Sequence, residues 1–238
     1  MKKKTKYKRV LLKLSGEVFK GDKDSGIDDK TVLALCKEIV AVKKLGVEIA
    51  IVIGAGNMWR YRDHISAGFD RVHSDNMGMV ATIVNSMYLQ GVFEKLSVDA
   101  RVCSAIEAPK VVGSYTSRTG REHLNKGRIV ICAGGTGSPF FTTDSAAALR
   151  ALELQCDAFL KATKVDYVYD KDPMKYKNAK KFKKLSYSDV LAKDLNVIDM
   201  TAVSLCREGN VPILVFNLTK KGNIAKVVKG ENVGTLIN

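Results

Sequence analysis

The chain reads as an α/β protein built on one mostly parallel sheet between helical layers. Three observations predict this class. Short apolar runs alternate with amphipathic helical patterns. Most of those runs are apolar at successive positions, as strands covered on both faces must be, and the glycine-rich loops fall directly after them. At 238 residues, with no internal repeat or low-complexity linker, the chain suits a single domain spanning 1–238 around one large core.

The first strand is Arg9–Leu14. The basic tail before it imitates a secretory signal, but the apolar part is cut short by Lys13. Asp28 caps the first helix, in which Val32, Leu35, Ile39, Val42 and Leu45 recur at helical spacing and Gly46 is the stop. Glu48–Ile53 is the second strand. Ser74 then opens a long helix through "DNMGMVATIVNSMYLQGVFEKL", with Met77, Val80, Val84 and Met87 as its apolar stripe and Gly91 next on that line. Ala100–Ser104 and Arg128–Ala133 are strands, Thr143 precedes the helix "DSAAALRALELQ", and Ala158–Ala162 is the next strand. Ser186 and Asp189 form a capping-box start, and Asp199 caps "MTAVSLCREG". Ile213–Asn217 and Thr235–Ile237 complete the sheet. In such a sheet ligands bind beyond the carboxyl ends of the strands, so the loops that follow strands are where chemistry belongs.

Composition removes several classes. No apolar run approaches the ~20 residues that a membrane helix needs. The five cysteines (Cys36, Cys103, Cys132, Cys156, Cys206) are odd in number, widely spaced and set in apolar segments, which fits a reducing cytosol and neither a disulfide framework nor a zinc site. A net charge of +14 raises the question of nucleic acid. The excess is mostly lysine, concentrated in Lys2–Arg9 and Lys171–Lys184, with few stacking aromatics elsewhere. That pattern fits a solvated surface drawing small polyanions better than a strand-binding groove.

Two familiar nucleotide motifs fail. "GEVFKGDK" has Walker A glycine spacing, but Asp22 stands where the phosphate lysine belongs. "GAGNMWR" supplies Gly54 and Gly56 but has Trp59 in place of a dinucleotide fingerprint's third glycine. What remains is a set of post-strand loops. "KLSGE" places Lys13, Ser15 and Gly16 at the end of the first strand, and "GAGN" is followed by Arg60, a fork for phosphate oxygens. Taken singly, each also fits an ordinary tight turn. "GGTGSPFFTTD" is richer: Gly134, Gly135 and Gly137 let backbone approach a ligand, Thr136, Ser138, Thr142 and Thr143 add hydroxyls, and a helix N-terminus follows. Asp144, in the first turn of that helix, has a plain reading as a dipole partner. "LKATKVDYVYDKDP" ends a strand with Lys161 and continues through Thr163, Tyr169 and Asp172. Two strand-end lysines, Lys13 and Lys161, with Asp144 between them would flank one phosphoryl group as in-line transfer requires.

"LLKLSGE", "IVIGAGN", "SDNMGM", "GTGSPFFTTDSAA", "LKATKVD" and "VFN", in this order from about Lys8 to Ile237, resemble the bacterial uridylate kinases of the amino-acid-kinase superfamily. The resemblance implies a three-layer α/β/α fold and phosphorylation of UMP to UDP by ATP, with Mg2+ carried by the nucleotide and no resident metal. It implies a cytoplasmic homohexamer in pyrimidine nucleotide biosynthesis, with GTP and UTP as possible effectors and nucleic acid not expected as a partner. The N-terminal part would bind UMP and the C-terminal part ATP. Carried over by position, Lys13, Lys161 and Asp144 are catalytic. Lys13, Leu14, Ser15, Gly16, Gly56, Arg60, Thr163, Tyr169 and Asp172 contact ATP or the transferred phosphate. Ala55, Asp75, Thr136, Gly137, Ser138, Pro139, Phe140, Phe141, Thr142 and Thr143 surround UMP, with Asp75 on the ribose hydroxyls.

The chain departs from the family pattern twice: Ala55 replaces the middle glycine of Gly-Gly-Gly-Asn, and Tyr167 stands where many relatives have glycine. Two other readings compete: a superfamily member phosphorylating a carboxylate or carbamate, which has no use for "PFFTTD" or Asp75, and a nucleotide-sensing or RNA-binding module without catalysis, which has no use for both lysines and Asp144.

Overall fold

The computed structural model describes residues 5–63, 68–193, 195 and 197–238. Its sheet begins with β1 (Arg9–Leu14), β2 (Glu48–Ile53), β3 (Ala100–Ser104), β4 (Gly113–Ser114), β5 (Ile129–Ala133) and β6 (Ala158–Thr163). Two pairs of short strands follow, β7 (Val168–Tyr169) with β8 (Lys181–Phe182), and β9 (Lys184–Leu185) beside the closing β11 (Thr235–Ile237); β10 is Ile213–Asn217. Helices are α1 (Asp29–Lys43), α2 (Arg71–Lys95), α3 (Ser117–Asn125), α4 (Thr143–Glu153), α5 (Tyr187–Ala192), α6 (Met200–Glu208) and α7 (Asn223–Val228). The nine-stranded sheet runs β4-β3-β5-β2-β1-β6-β10-β11-β9. It is parallel except where β11 turns back against β10. The seven predicted strands all form, and the four two-residue strands are additions too short to leave a pattern in sequence.

Alternation along each strand divides the core. Val10, Leu12, Leu14, Ile49, Ile51 and Ile53 pack with residues of α1, α2 and α7 on one face. Leu11, Ala50, Val52, Val130, Cys132 and Phe159 pack with α3, α4, α5 and α6 on the other. The result is three layers, with α4 brought close to the sheet by the small buried residues Ala147, Ala148 and Ala151. All five cysteines are buried free thiols.

Three local expectations need correction. The long helix starts at Arg71 under an Asp70 cap, three residues before Ser74, which is buried in its first turn. Thr142, not Thr143, caps α4, its hydroxyl accepting from the Asp144 and Ser145 N–H groups. The stripe Val80, Val84 and Met87 faces outward, 51%, 49% and 41% exposed, with Met77 half-buried. The inward face of α2 instead carries Met79, Thr82, Ile83, Asn85, Ser86, Leu89 and Phe93. Its polar members are satisfied there: Thr82 Oγ1 donates to the Met79 carbonyl at 2.6 Å, Ser86 Oγ to the Thr82 carbonyl at 2.7 Å, and Asn85 Nδ2 to the Gly54 carbonyl at 2.9 Å. A count of apolar residues therefore selects the wrong side. Among the described residues no helix is long and apolar enough to cross a membrane.

Candidate active site

Lys13 and Lys161 are register partners on adjacent parallel strands, so their side chains leave the sheet on the same face, beneath the N-terminus of α4. Two ammonium groups side by side repel, and Asp144, from the first turn of α4, lies between them. Its Oδ2 accepts a hydrogen bond from Lys161 Nζ, and its Oδ1 stands 3.0 Å from Lys13 Nζ in an ion pair. All three side chains are no more than 13% exposed.

Burial by itself raises the Asp144 carboxyl, but the charges of Lys13 and then Lys161 outweigh it, and the net displacement is below the ordinary value. Lys161 moves down as well. Burial is the main cause; Asp144 opposes it, and the like charge of Lys13 adds to it. The trio is thus an ionised carboxylate with two converging cations, aimed at the space beyond the strand ends.

Of the trio, Lys13 lines a cavity of about 570 Å³, together with Ser15, Gly16, Ala55, Gly56, Arg60, Asp75, Thr136, Ser138, Phe141, Thr142 and Thr143. Its walls are loops held by specific contacts. The loop after β1 lies against the loop after β2: a Cβ on Gly16 would stand 2.4 Å from the Gly54 carbonyl oxygen and 2.6 Å from the Gly56 nitrogen, so only glycine permits the approach. The "GAGN" loop is pinned from below by Asn57 and Asn85, whose side-chain amides exchange two hydrogen bonds at 3.0 and 2.8 Å. Ala55 keeps a negative φ, so the added Cβ requires no left-handed backbone.

The loop from Gly134 to Thr142 leaves β5 through left-handed Gly134 and Gly135, at φ of 74° and 58°. Phe140 is left-handed too, at φ 70°, a conformation that costs a non-glycine residue roughly 1–2 kcal/mol. It is held there by its N–H, which donates to Asp75 Oδ2 at 2.8 Å. Arg71 completes this corner, 2.7 Å from Asp75 and over the rings of Tyr61 and Phe140 at 4.8 and 5.6 Å. From below, buried Arg150 donates to the Gly135 carbonyl at 3.0 Å, pairs with Glu153 at 2.6 Å and lies over the Tyr115 ring at 4.0 Å.

A second cavity, about 430 Å³, is lined by Tyr167, Tyr169 and Asp172 together with Val165, Leu195 and Val197. Gly56 and Arg60, grouped with the ATP set from sequence, line the first cavity beside Asp75 and not the second. Asp144, Lys161, Leu14, Gly137, Pro139, Phe140 and Thr163 line neither. Thr163 Oγ1 is engaged with the Val165 and Phe216 carbonyls. Leu14 is fully buried, its side chain in the core and its carbonyl accepting from Gly54 N–H at 3.1 Å.

Sequence reasoning missed four contributors: Glu17, Arg71, Arg150 and the hydroxyl-binding role of Asp199, which receives Thr142 Oγ1 and Ser145 Oγ while capping α6. Only Arg71, four residues before Asp75, carried a local signal. Among the described residues no group of three or more His, Cys, Asp or Glu gathers around a common point.

Comparison with known proteins agrees with this geometry. The amino acid kinase family matches residues 8–217. The chain is 49% identical to the chloroplastic uridylate kinase PUMPKIN of Arabidopsis thaliana, covering 98% of this chain and 69% of that protein. It is 49% identical to the uridylate kinase of Paramagnetospirillum magneticum, covering 98% and 97%. The crystal structure of UMP kinase from Bacillus anthracis superposes with a TM-score of 0.95 at 40% identity, covering 98% and 96%. The chain belongs to the amino acid kinase family, in its uridylate kinase branch.

Proposed function

We propose that the protein phosphorylates UMP to UDP with ATP as donor, the γ-phosphoryl group crossing between Lys13 and Lys161. The observation that carries this is the single carboxylate of Asp144 holding two register-paired lysines, of which Lys13 lines the first cavity. Phosphoryl transfer spreads negative charge over the equatorial oxygens, and two fixed cations in a site screened from water stabilise that charge without reorganising. UMP brings its own nucleophile, an anionic phosphate oxygen, so no strong general base is needed.

The first cavity is the acceptor site. Arg60 and the backbone around Gly56 are placed for the UMP phosphate, Asp75 for the ribose, and the stretch Thr136–Thr143 for the uracil side. Tyr169 and Asp172 in the second cavity belong to the ATP side. Mg2+ bound to ATP would neutralise phosphate charge. The outward apolar stripe of α2 supports self-association, for which we propose the hexamer of the resemblance. Buried thiols suit a reducing compartment such as the cytosol.

Purified protein with ATP and Mg2+ should form ADP much faster with UMP than with CMP, dUMP, glutamate or aspartate; equal rates on CMP would overturn the acceptor assignment. Lys161→Ala should lower kcat by about two to three orders of magnitude while UMP binding, followed by calorimetry, stays within a few-fold. Retained turnover would remove the two-lysine clamp.

A further inference from the structure

We propose that Glu17 sets the affinity and anion selectivity of the acceptor site by holding Arg60 in the place that the incoming phosphate takes. The inference rests on the assignment of Arg60 to the UMP phosphate.

Glu17 belongs to the one-turn helix Gly16–Val18 that follows β1 directly. Its carboxylate is shared between two loops. Oε1 pairs with Arg60 Nη2 from the loop after β2, and Oε2 lies 3.3 Å from Lys164 Nζ on the loop after β6. The Arg60 guanidinium is fixed from its other side: Nε donates to the Gly56 carbonyl at 3.2 Å, and a Cβ on Gly56 would meet Nε at 2.9 Å. Glu17 and Arg60 both line the first cavity, with side chains 29% and 23% exposed. The cation best placed to receive a phosphate is therefore already paired with an anion of the chain.

A carboxylate and a phosphate compete for the same guanidinium N–H groups. A phosphate monoester dianion carries more charge and a third oxygen, so it displaces Glu17. The released carboxylate keeps its second partner, Lys164, three residues beyond Lys161. Arrival of the acceptor thus leaves Glu17 held by the loop after β6 alone. The exchange also filters ligands: an uncharged nucleoside cannot take Arg60 from Glu17 and gains nothing there, whereas a nucleoside monophosphate can.

Glu17→Gln tests this, since it keeps the side-chain size and removes the charge. The dissociation constant for UMP, measured by calorimetry, should tighten roughly two- to fivefold, the range open to a partly exposed ion pair that no longer competes. Uridine affinity should not change. A brace that merely orients Arg60 predicts the reverse, so UMP affinity that weakens or stays constant overturns the proposal. In an Arg60→Gln background the gain from Glu17→Gln should vanish; a gain that persists assigns the effect to general repulsion and also overturns it. Glu17→Asp, which shortens the arm by one methylene, should give part of the gain and serves if the Gln variant does not fold; no gain there counts against the proposal equally. Failure of the acceptor reading itself would appear separately, as absent UMP binding in the unaltered protein.

Discussion

Asp144 is the residue that lets two lysines occupy neighbouring positions on adjacent strands. Replacing it by Asn leaves two mostly buried ammonium groups without their counter-charge, at a cost on the order of 3 kcal/mol unless Lys161 gives up its proton. The signs follow from the shifts. Asp144 is held below the ordinary carboxylate value of 3.8, so its contribution to stability is present above that value and is lost as pH falls through the lowered one. Lys161 is held below the ordinary lysine value of 10.5, so the charged ammonium opposes folding at low pH, and this penalty fades as pH rises toward 10.5. The pH profile of kcat should accordingly show an alkaline limb below the ordinary lysine range, and Asp144→Asn should move that limb to lower pH, because it removes the main neighbour that holds the proton on, leaving only the weaker pull of Asp199. A limb at the ordinary lysine value in both proteins would mean that Lys161 does not govern it. The loop motifs were legible in sequence because each follows a strand, whereas Asp75, inside α2, was found only through the family resemblance. Glu17, Arg150 and Asp199 were not legible, because their meaning lies in partners 43, 15 and 57 residues away in the chain.

At the scale of elements, strands were read well and the longest helix was read inside out. Buried strands announce themselves as unbroken apolar runs. The inner face of α2 does not, because Thr82, Asn85 and Ser86 are hidden there in the service of the loops: Thr82 Oγ1 accepts from Gly134 N–H at 2.8 Å and Asn85 binds the Gly54 carbonyl. The helix that looks least committed to the core is thus the one that supports two walls of the site. Loop contact yields another prediction. Gly16→Ala would drive a methyl group into backbone atoms of the neighbouring loop. It should lower kcat/KM by about 100-fold through misplacement of the phosphate loops, with circular dichroism showing the secondary structure unchanged. Full activity in that variant would show that the two loops can separate without harm.

For the molecule as a whole, β1 at the centre of the sheet has β2 on one side and β6 on the other, so the loops that follow β1, β2 and β6 rise from three adjacent strands. That arrangement was only partly legible: alternation of strands and helices gave the class, while the order of strands, and with it the pairing of Lys13 with Lys161, depends on long-range packing. The outward stripe on α2 bears on assembly. If the proposed assembly uses this stripe, Val84→Glu should shift the sedimentation coefficient toward smaller species; an unchanged coefficient would overturn that use of the stripe.

The five sulfurs have a practical use of their own. Burial pushes Cys36 and Cys206 up to about 12, and raises Cys103, Cys132 and Cys156 as well. Cys36 lies on one side of the sheet and the other four on the opposite side. An alkylating reagent should therefore leave the native chain unmarked and add mass only where the fold opens, so the order in which the five tags accumulate is a clock for which layer comes apart first.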